Sequence, residues 1–193
     1  MDKNFSNLNV VLVEPKGPLN VGSIARLCAN FDVDELRIVS PKCDIFSLEA
    51  RKMALKGHKF IEKCKIFKTT EQAIFDCDLV LATSGRIETK TDSSIEAIED
   101  VSQWISSLSE IKNLAILFGR EDRGLTNREL LFAQKIIYIP TSPTFSSLNL
   151  SHAVSIILYE IRKSFRLDLN QDLKVFNLAS SKQINDSFLE IEE

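Results

Sequence analysis

Short apolar runs rich in β-branched residues, set apart by stretches of helical spacing, limit this chain to few architectures. Residues 9–14 (NVVLVE) form the first run, and residues 36–39, 79–83, 114–118 and 136–139 repeat its character, so buried strands are expected at each. Between the first two runs, Val21, Ile24, Ala25, Cys28 and Ala29 share one helical face over residues 21–31. Ser47 caps a second helix over 47–56 that Gly57 stops, residues 94–108 give a third, and Thr126 with Glu129 forms a capping box that opens a fourth. Residues 150–165 make the last long helix. Strands alternating with helices predict an α/β fold, a mainly parallel sheet flanked by helices, with ligand loops at the carboxyl ends of strands. Those loops are residues 15–20, 83–91, 119–125 and 140–149.

Length and charge narrow the class. At 193 residues and 44% hydrophobic, the chain supports one domain with a full core. Residues 1–9 lack a signal-peptide pattern, and no apolar run approaches the roughly 20 residues of a membrane span, so a soluble, cytoplasmic protein is expected. Cys28, Cys43, Cys64 and Cys77 lie 15, 21 and 13 residues apart, which matches neither zinc spacing nor a disulfide framework; reduced thiols and no metal follow. Of the net charge of -3, residues 167–193 carry six acids against two lysines. That acidic segment reads as a weakly structured tail behind a domain over residues 1–166. Residues 51–68 hold seven basic side chains and one acid, Glu62. Such a patch suits a polyanion such as RNA, and equally a solvated helix face with its flanking loop.

Nucleotide-loop readings of the first turn are poor. Gly17-Pro18-Leu19-Asn20-Val21-Gly22 has the glycine spacing of a phosphate loop, but Ser23 and Ile24 stand where Lys and Ser/Thr belong. A dinucleotide fingerprint lacks its third glycine. Taken alone, Asn20 and Arg26 read as an N-cap and a surface cation.

All the loops together say more. Asn20-x-Gly22-x-x-x-Arg26, Phe118-Gly119-Arg120-Glu121-x-x-Gly124-Leu125, and Ile139-Pro140 leading to Ser147-Leu148-Asn149-Leu150-Ser151 resemble the three motifs of the SpoU/TrmH family. Its members are S-adenosylmethionine-dependent RNA 2'-O-ribose methyltransferases. Gly124-Leu125-Thr126-Asn127-x-Glu129-Leu130 and Pro140-Thr141 before Ser147 are most similar to the TrmJ branch, which modifies tRNA at position 32 of the anticodon loop. The resemblance covers residues 9–166. It implies a C-terminal trefoil knot whose loops bind S-adenosylmethionine, a homodimer, and an RNA substrate, tRNA ahead of rRNA. Two rival functions are an rRNA 2'-O-methyltransferase of the same family and a non-catalytic RNA-binding or cofactor-sensing module.

Site roles follow from the same resemblance. Thr83, Ser84, Gly85, Leu117, Gly119, Glu121, Ile139, Ser147, Leu148 and Asn149 are the expected cofactor-binding residues, with Arg26, Ser147 and Asn20 catalytic. Arg51, Lys52, Lys56, Lys59, Arg86, Arg120 and Arg123 are the expected RNA contacts. Gly119 would let the backbone approach the cofactor, and Leu117, Ile139 and Leu148 would give apolar walls. Glu121 either faces the site or serves Arg123 or a helix end; Ser147 to Asn149 could instead cap the last helix. Methyl transfer to a ribose hydroxyl needs an in-line nucleophile and a weakened O–H. A guanidinium with a reference pKa of about 12.5 to 13.8 is neutral near pH 7 only at a cost of roughly 7 to 9 kcal/mol. Arg26 therefore suits holding a phosphate and steadying a developing alkoxide better than removing a proton.

Overall fold

The computed structural model describes residues 5–85, 95–108 and 111–164. The tail expected over residues 167–193 lies outside these, as does Arg86. β1 (Phe5–Val13), β2 (Glu35–Val39), β3 (Lys65–Phe67), β4 (Leu79–Thr83), β5 (Ile95–Ala97), β6 (Ile111–Phe118) and β7 (Lys135–Tyr138) form one sheet in the order β3-β2-β1-β6-β4-β7-β5. Every ladder is parallel. The helices are α1 (Pro18–Asn30), α2 (Leu48–Ala54), α3 (His58–Lys63), α4 (Thr70–Ile74), α5 (Ile98–Ser107), α6 (Asn127–Leu130) and α7 (Leu150–Ser164), with a 3-10 turn at Leu55–Gly57. None is long and apolar enough to cross a membrane.

Strand periodicity divides the core in two. Leu8, Val10 and Leu12 of β1 face α1, α2, α3, α5 and α7, together with Ile38, Leu81, Ile116 and Phe118. Val11 and Val13 point the other way, with Val80, Ala82, Ala115, Leu117 and Ile136, toward the short helices α4 and α6. A strand buried on both faces must be apolar throughout, which is why β1 and β6 appear in the sequence as continuous runs rather than alternations.

Two strands were not expected. β3 and β5 are three-residue edge strands, too short to show a period. β5 occupies residues given to the front of the third helix, so α5 begins at Ile98 rather than residue 94. The edge is secured from β7: Lys135 pairs with Glu96 and sets its Nζ 4.6 Å from the centre of the Trp104 ring. After Gly57, where no element was expected before residue 79, the chain folds as α3 and β3, and Thr69 caps α4. Between β2 and α4 lies an ion pair with a buried arginine and part-exposed acids. Arg37 donates to Asp76 at 2.6 and 3.0 Å, to Glu35 at 2.8 Å and to the Ala73 carbonyl at 2.7 Å. Burial works against the Arg37 charge, but Asp76 and Glu35 outweigh it and push its pKa up.

The contact between α1 and α2 is backbone-close. A Cβ placed on Gly22 would lie 2.2 Å from the Ala50 carbonyl oxygen and 2.8 Å from the Met53 Cβ. Gly22→Ala should therefore push the two helices apart and lower unfolding free energy by about 1–3 kcal/mol in urea titrations; an unchanged midpoint would mean α2 yields freely.

Candidate functional site

At the carboxyl ends of the central strands, three loops and the start of α7 enclose a cavity of about 510 Å³. Thr83, Ser84 and Gly85 leave β4 to form one wall, Gly119 to Leu125 leave β6 to form another, and Ile139 with Ser146, Ser147 and Leu148 closes the third. Ile137, Leu130, Leu150 and Ile157 supply an apolar floor beneath polar turns. This mixture, apolar surface with a few fixed polar groups, is that of a small-molecule site.

Glu121 joins the loops. Its carboxylate accepts from the backbone N–H of Lys16 at 2.9 Å, that of Gly17 at 3.0 Å and the Asn20 amide at 3.0 Å. Asn149 in turn donates from Nδ2 to the Asn20 Oδ1 at 3.1 Å, and its own Oδ1 accepts from the Ser151 N–H at 2.8 Å at the start of α7. The helix α1 begins at Pro18 behind Gly17, which has no side chain to cap it. A carboxylate from the turn after β6 lies beside this helix start, held by Lys16, Gly17 and Asn20, where the helix dipole favours negative charge. Burial opposes the charge of Glu121, but the hydrogen bonds from Asn20, Lys16 and Gly17 outweigh it and hold the carboxyl below its ordinary range.

The 119–125 turn has its own clamp. A Cβ on Gly119 would meet the Gly124 carbonyl carbon at 2.1 Å and the Leu125 nitrogen at 2.2 Å, so this glycine allows the turn to fold back on itself. Gly124, at φ 71°, completes the reversal. Arg120 Nη1 and Arg123 Nη2 donate to Glu14 at 3.2 and 2.9 Å, Lys42 lies 3.2 Å from the same carboxylate, and Arg123 also reaches Glu129 at 3.2 Å. The hydrogen bond from Arg123 keeps the Glu14 carboxyl below its ordinary range against the effect of burial. Lys16 and Arg120 bring Asp122 down to about 2. Thr126 and Glu129 form the expected capping box on α6.

Set against the sequence, the cavity lining includes Thr83, Ser84, Gly85, Gly119, Glu121, Ile139, Ser147 and Leu148. Leu117 is fully buried below it, and its carbonyl accepts from the Thr83 hydroxyl at 3.0 Å. Asn20 and Asn149 stand behind the lining as its supports. Arg26 lies apart: it is exposed on α1 and outside the lining, where Gly57 approaches its Cα. Arg51, Lys52, Lys56 and Lys59 are exposed near it on α2, the 3-10 turn and α3. Arg120 and Arg123 line the cavity but are ion-paired. Sequence reasoning did not single out Glu14 or Lys16; their partners lie over a hundred residues away, beyond any local signal.

Comparison with known proteins accords with this geometry. A family described as the SpoU rRNA Methylase family matches residues 7–159. A tRNA (cytidine-2'-O-)-methyltransferase TrmJ of Sulfolobus acidocaldarius is 41% identical over 174 residues, which cover 90% of this chain and 70% of that protein. One of the same description from Methanocaldococcus jannaschii is 41% identical over 170 residues, 84% of this chain and 72% of that one. The crystal structure of TrmJ from Z. mobilis ZM4 superposes with a TM-score of 0.76 at 32% identity, covering 82% of this chain and 69% of that chain.

Because the folded Glu121 carboxyl titrates below its unfolded value, its contribution to stability is present above the unfolded pKa and is lost as pH falls through the folded one. Glu121→Ala, which strands three donors, should cost about 1–3 kcal/mol at neutral pH, and the gap from wild type should narrow on acidification below about pH 4. Denaturation curves at pH 7 and pH 3 with equal gaps would contradict this.

Proposed function

The chain belongs to the SpoU rRNA Methylase family, and from that premise we propose that it is a tRNA ribose 2'-O-methyltransferase using S-adenosylmethionine, acting in the anticodon loop. One observation carries the reading: Glu121, Asn20 and Asn149, from the turn after β6, the first turn of α1 and the loop before α7, meet in a single hydrogen-bonded line at the rim of one cavity. The naming of relatives as tRNA methyltransferases supports tRNA over rRNA.

The cavity fits the cofactor in character, with apolar Ile137, Ile139 and Leu148 for a flat ring and polar turns at Ser84 and Glu121 for the charged end. When bound, S-adenosylmethionine supplies an electrophilic methyl group on a sulfonium. The protein's part is to hold and to exclude. Glu121 fixes the α1 start to the 119–125 turn, so the first and second motifs keep one spacing. Asn149 extends that spacing to α7. Ser147, exposed at the cavity edge, can hydrogen-bond the ribose or its phosphate. Arg26 is the cation for the substrate phosphate and for charge developing on the ribose oxygen. Because it stands outside the cavity of its own chain, a homodimer that joins α1 surfaces would complete the site. Exposed Leu19 on α1 and Ile156 and Tyr159 on the adjoining α7 give such a contact its apolar area.

The remaining expectations fit within this reading. β7 lies between β4 and β5, an order compatible with a C-terminal trefoil knot, and family membership supports the knot itself. The catalytic unit is the domain over residues 1–166, working in the cytoplasm where tRNA is found. Arg51, Lys52, Lys56 and Lys59 are the RNA contacts least committed elsewhere, whereas Arg120 and Arg123 must leave Glu14 to serve.

Purified protein incubated with methyl-labelled S-adenosylmethionine and separate tRNA and rRNA pools should label tRNA at a ribose of the anticodon loop, located by nuclease mapping. Label in rRNA alone would move the substrate to that class, and label in neither would defeat the assignment. Arg26→Lys should lower kcat by about tenfold or more while leaving cofactor affinity unchanged; lysine that retains most activity would argue against a forked guanidinium contact.

A further inference from the structure

Between α2 and the 3-10 turn the chain adopts a conformation that costs energy without any return in packing. Leu55 has φ 47° and ψ -123°, a region open to glycine and rarely entered by other residues. Its side chain is 56% exposed, so the core does not account for a leucine there. The turn is held from both sides. A Cβ on Gly57 would lie 2.5 Å from the Ala25 carbonyl oxygen and 2.7 Å from the Arg26 Cα, which shows how closely the turn sits on α1. The Leu55 carbonyl accepts the backbone N–H of His58 and lies 2.9 Å from its Nδ1.

The surroundings are cationic. Arg51 and Lys52 end α2, Lys56 follows Leu55, and Lys59 begins α3; all are exposed. Among the described residues none of these four, nor Arg26, has a carboxylate within salt-bridge distance. Elsewhere the arginines are engaged: Arg120 and Arg123 with Glu14, and Arg128 with Glu71. Glu49 and Glu62 are the acids of α2 and α3.

We infer that Leu55 is an RNA-contact residue: the strained turn holds an apolar side chain outward, beside Arg26, among cations that no described carboxylate pairs. The cations take the phosphates, and the leucine covers the face of an unstacked base or ribose in a single-stranded loop. A second copy of this chain fits the patch poorly, because a two-fold contact would place like charges opposite each other. The inference rests on the tRNA methyltransferase reading and names part of its substrate surface.

Glycine at this position separates function from fold. Leu55→Gly relieves the backbone and Leu55→Ala does not, while both remove the side chain. With a fluorescent tRNA transcript at fixed salt, both variants should bind about fivefold more weakly than wild type. S-adenosylmethionine affinity and oligomeric mass should stay unchanged, and the Tm of Leu55→Gly should equal or exceed that of wild type. Wild type that binds tRNA with both variants indistinguishable from it defeats this inference alone. A lower oligomeric mass in the variants also overturns it, since the side chain then serves a second copy. Wild type that binds S-adenosylmethionine but no tRNA defeats the functional reading and this inference together.

Discussion

One carboxylate sets the geometry on which the cavity depends. Glu121 comes from the turn after β6, yet its carboxylate is held by the backbone of the segment after β1, just ahead of α1. A charged acceptor with three donors is stronger than a neutral one and more costly to leave incomplete. Two loops that are over a hundred residues apart in sequence therefore behave as one rigid rim. Asn149 adds the third loop through Asn20, and its own capping of α7 makes the position of that helix part of the same arrangement. Catalytic groups need to be held to within a fraction of an ångström, and here side-chain amides and a carboxylate do the holding while apolar strands provide the stiffness beneath.

Charge is distributed in two different states on this protein. Around the cavity, Glu14, Asp122 and Glu129 neutralise Arg120, Arg123, Lys16 and Lys42 almost completely. Such a rim is orderly and exerts little long-range pull. On α2 and α3 the cations have no carboxylate partner among the described residues, so the field that draws a polyanion comes from there. The protein is mildly acidic as a whole, which keeps that attraction local rather than general.

Much of this could be read from residues alone, and the exceptions have a common cause. The strands β1, β6 and β4, the Ser47 cap and the Thr126–Glu129 box depend on neighbours within a few positions, and local pattern reveals such things. The motif residues were likewise placed at the ends of the right strands. What escaped notice depends on distant partners or on backbone angles: β3 and β5 exist because a neighbouring strand offers them an edge, and the positive φ at Glu14 and Leu55 leaves no trace in composition. Gly119 is instructive in another way. It reads in sequence as admitting the cofactor, whereas the space a side chain would take is filled by the backbone of Gly124 and Leu125.

The order of strands also bears on how the chain is made. β1 lies inside the sheet with β6 as one neighbour, Val10 beside Ile116, so it leaves the ribosome about a hundred residues ahead of a strand it must pair with. At roughly 5–20 residues per second this is an interval on the order of 5–20 s. Throughout it, an apolar strand buried on both faces in the finished molecule has one hydrogen-bonding edge open. Nascent chains of this protein are thus candidates for chaperone protection, and its maturation is timed by translation as much as by its own folding rate.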